Sequence, residues 1–260
     1  MLFQESKIEL KVSIITVCYN SAKTIEDTIK SVINQTYDNV EYIIVDGLST
    51  DNTLDIANKY KGQITTIISE KDNGLYDAIN KGIKLATGDI IANLNSDDFY
   101  IDENVITDVV AKMVAEKTDT LYTDLYYVEA DNTDKVTRYW KSGVYKKGTF
   151  YKGWMPPHPT FFVKKAVYNE YGVFNLKLKS AADYEIMLRF IHKYECTVSY
   201  LNRVTVRMRV GGVSNSSLVN RIKANREDKL AWKINGLKPK KMTFILKPLS
   251  KISQFFKKIN

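Results

Sequence analysis

The sequence predicts an α/β fold: a mostly parallel sheet flanked by helices, with a basic helical extension at its C-terminal end. Three observations carry that expectation. Short β-branched apolar runs alternate with amphipathic helical segments through the first hundred residues, the pattern of parallel strands joined by right-handed crossovers. Turns rich in Asp and Asn follow those runs, which gathers polar groups at the sheet edge where open α/β folds bind ligands. Charge is segregated as well: nine lysines and no acid follow Asp228, so residues 1–228 carry a net −1 within a chain of net +8.

Residues 12–17 read as a buried strand that ends at Cys18-Tyr19-Asn20. Ser21 is placed to cap a helix bearing Ile25, Ile29, Val32 and Ile33 on one face. Residues 41–46 are a second strand, the turn 46–51 follows, and a helix runs through Leu54, Ala57 and Tyr60. Residues 64–68 are a third strand. Asp72-Asn73-Gly74 signals a turn before a helix over 75–86. Thr87-Gly88 breaks that helix, and 89–94 form a fourth strand leading into Asn95-Ser96-Asp97-Asp98.

Beyond Tyr100 the alternation changes. Residues 105–115 look helical, and 121–128 with 136–140 read as a hairpin turning at Asp131-Asn132. An irregular aromatic stretch follows, with Tyr145, Phe150, Tyr151, Trp154 and His158; it suits a sugar pocket or ordinary core packing. A helix starts near Ala181 with Asp183 in its first turn, and 198–208 form a strand before Gly211-Gly212.

Composition narrows the classes. A chain of 260 residues, 44% apolar, fills one large core or one core plus a small extension. Cys18 and Cys196 are far apart with no CxxC spacing, which argues against zinc and for thiols in a reducing compartment. No signal peptide or membrane span is expected. The near-neutral body is unlike a nucleic-acid-binding domain. No GxGxxG or GxxxxGK[ST] is present, so phosphates would need another anchor. Adjacent Asp97 and Asp98 at a strand's carboxyl end offer a hard divalent cation its oxygen ligands; the competing reading is a solvated turn whose Asp caps a helix.

The ordered set of motifs resembles family 2 glycosyltransferases. It comprises residues 12–20, Val45-Asp46-Gly47-x-Ser49-x-Asp51, Asp72-x-Gly74-x-Tyr76-Asp77-Ala78-x-Asn80-Lys81-Gly82 and Leu94-Asn95-Ser96-Asp97-Asp98. Pro157-His158-Pro159-Thr160, Ala182-Asp183-Tyr184-Glu185 and Arg207-Met208-Arg209-x-Gly211-Gly212-x-Ser214 extend it over residues 11–215. The resemblance implies a GT-A type, Rossmann-like domain over 1–215, with a nucleotide half at about 11–100, an acceptor half at about 101–215, and an extension over 216–260. It implies an inverting hexosyl- or N-acetylhexosaminyltransferase of the bacterial branch that builds surface polysaccharide, O-antigen or capsule. Its expected donor is a nucleotide sugar, UDP-linked; its expected acceptor is a polyprenyl-diphosphate-linked saccharide. Site roles follow by matching position. Asp183 would be the general base, and Asp46 would bind the uracil base. Asp72 would lie near the uridine, with Tyr19 and Asn20 flanking the base. Thr16, Ser49, Tyr76, Asn80, Lys81, Asn95 and Ser96 complete the donor set. Asp97 and Asp98 would hold Mn²⁺ or Mg²⁺, although Asn95 stands where a DxD element has its first carboxylate. Trp154, His158, Arg207 and Arg209 are acceptor or diphosphate candidates. A sugar nucleotidyltransferase is disfavoured because the loop 18–23 has no glycine, and a catalytically degenerate scaffold at a membrane is the other alternative.

The extension reads as an amphipathic helix over 218–234, a break at Lys238-Pro239-Lys240-Lys241, and then apolar residues interleaved with lysine, including Ile252, Phe255, Phe256 and Ile259. That is the composition of an in-plane anchor on an anionic membrane surface, or of a helix docked on a partner. The expected location is therefore cytoplasmic and peripheral on the inner face of the plasma membrane.

Overall fold

The computed structural model describes residues 10–211, 218–251 and 254. Gly212, Ser214, Ile252, Phe255, Phe256 and Ile259, named above, lie outside them. The first four strands are β1 (Val12–Cys18), β2 (Val40–Asp46), β3 (Thr66–Ser69) and β4 (Ile90–Asn93). They lie in the order β3-β2-β1-β4, all parallel, with Val12 opposite both Val40 and Ile90. Every side chain of β1 is buried, as a strand covered on both faces requires.

The remaining strands make the sheet mixed. β5 (Asp98–Tyr100) pairs antiparallel with β9 (Val198–Arg209), and β6 (Thr120–Val128) forms the expected hairpin with β7 (Val136–Trp140). β8 (Phe162–Lys164) runs antiparallel to both β4 and β6, while β6 and β9 are parallel. Parallel pairing thus dominates only where a helix supplies the crossover; short turns such as 129–135 can join only antiparallel neighbours.

Helices cover both faces. On one, α1 (Ile25–Ile33), α2 (Thr53–Lys59) and α4 (Val105–Glu116) bury Ile25, Ile29, Ala57, Val109 and Met113 against Val12, Ile14, Tyr42 and Ile44. On the other, α3 (Leu75–Leu85), α5 (Lys165–Tyr171) and α6 (Ala182–Met187) pack on Ile15, Val17, Ile43 and Val45. Gly82 of α3 is needed there, because a Cβ would stand 2.4 Å from Ile15 Cγ2. One local expectation is corrected. Ser21 does not cap α1, whose N-cap is Thr24; its hydroxyl instead meets the Ser96 hydroxyl at 2.8 Å, across the sheet edge.

The extension folds as α7 (Leu218–Ile234) and α8 (Thr243–Ser250), both against the body. Ala231 and Trp232 are fully buried in the same core as α6. Thr243 Oγ1 donates to the Tyr151 carbonyl at 2.9 Å. Lys247, expected to face an anionic surface, is instead turned inward onto Asp228 at 2.6 Å and over the Tyr184 ring.

Candidate functional site

The site is built from loops at the carboxyl ends of β1, β2 and β4. After β1, Asn20 takes a left-handed conformation (φ 50°) and accepts from Thr50 N through Oδ1 at 2.8 Å. Its own N–H donates to Ser49 Oγ at 2.8 Å. Asp46, the last residue of β2, is completely buried. It accepts from Ser49 Oγ (2.5 Å), Ser49 N (3.0 Å) and Ser69 Oγ (2.6 Å). Both its oxygens are engaged, so in this conformation Asp46 organises the loop. Beside this loop stand Tyr19, 63% exposed, and Asp72. They meet over Gly47, where a Cβ would lie 2.4 Å from Asp72 Oδ2 and 3.6 Å from Tyr19 Cδ2. The Gly74 N–H donates to Asp72 Oδ1 at 2.8 Å and fixes the carboxylate.

The loop after β4 is pinned from beneath. The buried Arg209 guanidinium donates to the Asp97 carbonyl at 2.8 Å, pairs with Asp27, and stacks over Phe99. Thr28 Oγ1 donates to the Asp98 carbonyl at 2.7 Å. Asp97 is half-buried at the loop surface. Asp98, expected as a second metal ligand, is completely buried at the start of β5. Its Oδ2 accepts from Asn95 Nδ2 at 3.2 Å, and its Oδ1 has no partner among the described residues. Burial, reinforced by the Asp97 charge, pushes its carboxyl well above the usual carboxylate range. Asp97 lies in the turn before β5 and Asp98 is the first residue of the strand, so the two adjacent carboxylates differ in exposure.

A small cleft, open to solvent, is lined by Asn93, Asn95, His158 and Asp183, with Leu75 and Phe174 among its apolar walls. Asp183 stands in the first turn of α6 and accepts from the Tyr76 hydroxyl at 2.9 Å. Tyr76 is itself buried and stacked on Phe174 at 5.5 Å. Burial and the Asp183 carboxylate push the Tyr76 hydroxyl pKa up, so it stays protonated and keeps donating.

Five predicted residues sit elsewhere. Thr16 is buried and accepts from the Tyr42 hydroxyl at 3.1 Å. Asn80 spends its amide on both backbone groups of Phe174, at 2.9 Å each. Lys81 pairs with Glu70 at 2.9 Å and donates to the Lys71 carbonyl at 2.6 Å. Trp154 donates from Nε1 to the Ser142 carbonyl at 2.9 Å and lies edge-on to Tyr122. Arg207 reaches the hairpin turn, bonding the Thr133 carbonyl and Asp134 at 3.1 and 3.2 Å. These residues hold the frame around the site. Asn93 is the cleft residue that sequence reading passed over; a lone amide within an apolar strand was the available signal, and its Oδ1 is buried with no partner among the described residues.

Comparison with known proteins adds the following. The description "Glycosyl transferase family 2" matches residues 13–172. A PGL/p-HBAD biosynthesis glycosyltransferase of Mycobacterium bovis is 28% identical over 209 residues, 78% of this chain and 79% of that protein. The Escherichia coli UDP-Glc:alpha-D-GlcNAc-diphosphoundecaprenol beta-1,3-glucosyltransferase WfaP is 42% identical over 123 residues, 46% of this chain and 47% of that protein. Among solved structures, S. aureus TarS 1-349 in complex with UDP-GlcNAc superposes with a TM-score of 0.65 at 20% identity, over 87% of this chain and 65% of that one. The mannosyltransferase PcManGT from Pyrobaculum calidifontis, in complex with GDP-Man and Mn2+, gives 0.66 at 17% identity, over 92% and 69%.

Proposed function

Since this chain belongs to glycosyl transferase family 2 and has the GT-A fold, we propose that it is an inverting enzyme taking its sugar from a UDP-linked donor. The acceptor in this reading is a hydroxyl of a polyprenyl-diphosphate-linked saccharide, in polysaccharide synthesis at a cytoplasmic membrane face. The observation that carries the reading is the shared cleft: Asp183 at the start of α6 lines the same space as Asn95 of the loop after β4. A base and a diphosphate-binding loop must face each other across a transferred sugar.

The donor uracil stacks on the exposed Tyr19 ring beside Asp72, while Asp46, tied to Ser49 and Ser69, keeps that loop in shape. Asp97 is the residue to hold Mn²⁺ or Mg²⁺. Among the described residues no group of three or more His, Cys, Asp or Glu side chains is placed to bind a metal. A single accessible carboxylate nevertheless fits a cation that completes its shell with donor phosphate oxygens and water. When bound, such a cation neutralises the charge that grows on the leaving diphosphate. Arg209 fixes the Asp97 backbone from below and so holds the loop in place. Asp183 removes the proton of the acceptor hydroxyl as that oxygen attacks the anomeric carbon from the face opposite the diphosphate. Tyr76 holds the carboxylate in orientation. His158, on the cleft wall, is placed to contact acceptor or phosphate.

The names of relatives support the substrate class: WfaP is named for a UDP-Glc donor and a diphosphoundecaprenol-linked acceptor. A lipid-linked acceptor also suits the outer face of the extension. Met242, Ile245 and Leu249 of and beside α8 are each about half exposed, and Lys238, Lys240 and Lys241 are exposed nearby.

Calorimetry with UDP, GDP and dTDP, with and without Mn²⁺, tests the donor assignment. Metal-dependent binding of UDP is the expected result. Asp183→Asn is expected to lower turnover by roughly 10²–10⁴-fold, the usual contribution of a general base, with UDP affinity retained. Loss of UDP binding in that variant would reject the base assignment.

A further inference from the structure

We propose that Glu227 of α7 is a positioning residue for Asp183, so that the C-terminal extension forms part of the catalytic apparatus. This inference rests on the transferase reading for the role of Asp183. It concerns a residue beyond both the family match and the motif set.

The argument starts at α6. This helix is six residues long and begins after Ala181, whose methyl side chain cannot accept a hydrogen bond. The three residues that lead into it are therefore not held by a side-chain cap of the helix, and their backbone needs an anchor from another element. Glu227 supplies it. Its Oε2 accepts from the backbone N–H groups of Lys179 (3.0 Å), Ser180 (2.7 Å) and Ala181 (3.0 Å), and from Ser180 Oγ (3.0 Å). Four donors converging on one carboxylate oxygen two residues before Asp183 leave little freedom in that segment.

This anchor is the first of three ties made by α7 and the residue that follows it. Trp232, fully buried, donates from Nε1 to the Tyr184 hydroxyl at 2.8 Å. Asn235 donates from Nδ2 to Glu185 Oε1 at 2.9 Å. Residues 227, 231 and 235 recur every four positions, so the Glu227 anchor, the buried Ala231 and the last tie follow a single stripe. α7 thus grips Ala181, Tyr184 and Glu185 on the side of α6 away from the cleft, while Tyr76 holds Asp183 on the cleft side. The core packing would survive without Glu227; the aim of Asp183 would not. A misplacement of about 1 Å in such a group costs on the order of 100-fold in rate.

The test uses the full chain with UDP-glucose and a GlcNAc-diphosphate lipid, comparing wild type with Glu227→Ala and Glu227→Gln. Glu227→Ala is expected to lower kcat by about 10-fold or more, with KM for the donor and UDP affinity within about twofold. Amide hydrogen exchange at residues 179–183 is expected to accelerate at the same time. Glu227→Gln, which keeps an acceptor oxygen for the three N–H groups, is expected to restore most of kcat and of the protection. Unchanged exchange at 179–183 in Glu227→Ala overturns the proposal whether or not turnover is found. So does normal kcat despite faster exchange, or a kcat for Glu227→Gln as low as that for Glu227→Ala. A wild type that binds no UDP and turns over no UDP-sugar rejects the transferase reading instead, and the exchange measurement still decides whether Glu227 orders the segment before Asp183.

Discussion

Asp97 and Asp98 are adjacent and chemically identical, yet the boundary between turn and strand that falls between them gives them different environments. Asp97 is half-buried at the loop surface, whereas Asp98 starts β5, is sealed from solvent and is bonded to Asn95. Asp97→Asn is therefore expected to weaken Mn²⁺-dependent UDP binding by about 10–100-fold, the range seen when groups around a metal are altered. Asp98→Asn keeps an acceptor for Asn95 Nδ2 and is expected to leave that binding unchanged. Calorimetry on both variants checks this, and equal losses would show that burial does not separate the two roles. Gly47 illustrates the same scale: any side chain there would displace Asp72, so the glycine of the Asp46-Gly47 motif serves a close approach.

At the level of elements, the parallel half of the sheet is locked by a polar knot at the foot of its central strands. Glu41 of β2 accepts from Ser13 Oγ of β1 at 2.5 Å, from Thr87 N and Oγ1 at 2.7 and 2.6 Å, and pairs with Lys11 at 3.1 Å. Burial alone would raise its pKa, but these hydrogen bonds outweigh it and bring the carboxyl down to about 2 from 4.5. A group whose pKa is depressed by folding contributes stability above its unfolded pKa and loses it as pH falls through the folded value. Urea midpoints measured from pH 4.5 down to 2 should therefore fall more steeply in wild type than in Glu41→Gln. Parallel pH profiles would contradict this. Strand and helix identities were legible from periodicity, since each element buries one patterned face. The edges were less so: the third strand begins at Thr66 rather than 64, and α1 starts after Thr24 rather than Ser21, because contacts between loops decide where an element starts.

For the molecule as a whole, the extension is two-faced. Its inner face carries Trp232, Asp228, Thr243 and Lys247 into the body. Its outer face presents Met242, Ile245 and Leu249 at 51%, 52% and 51% exposure, beside exposed lysines. Each lysine near an anionic surface contributes about 1 kcal/mol, and the apolar row adds to that attraction. The double variant Ile245→Glu, Leu249→Glu is expected to lose retention on anionic vesicles while its Tm is unchanged, since neither residue is buried. Retention equal to wild type would remove the membrane assignment for this face. The extension thus offers that outer surface through α8 and the segment before it, while Glu227 of α7 ties down the residues leading into the helix that bears Asp183.

What the sequence by itself determined is the alternation of strands and helices, the placement of polar loops at one sheet edge, and membership of an ordered motif family. These are local or near-local properties: periodicity, turn chemistry and short spacings are written within windows of about 20 residues. What only the tertiary structure decided is which motif residues face the cleft and which hold the frame. Asn80, Lys81, Arg207 and Trp154 are motif or aromatic residues whose polar groups are spent on backbone or ion-pair partners, two of them more than 70 positions away. Asp98 is hidden by a pairing with β9, more than a hundred residues later. Glu227 reaches the residues that lead into α6 from a helix that the sequence marks only as amphipathic and basic. Side-chain partners of that kind depend on where distant segments meet, and no local pattern encodes them.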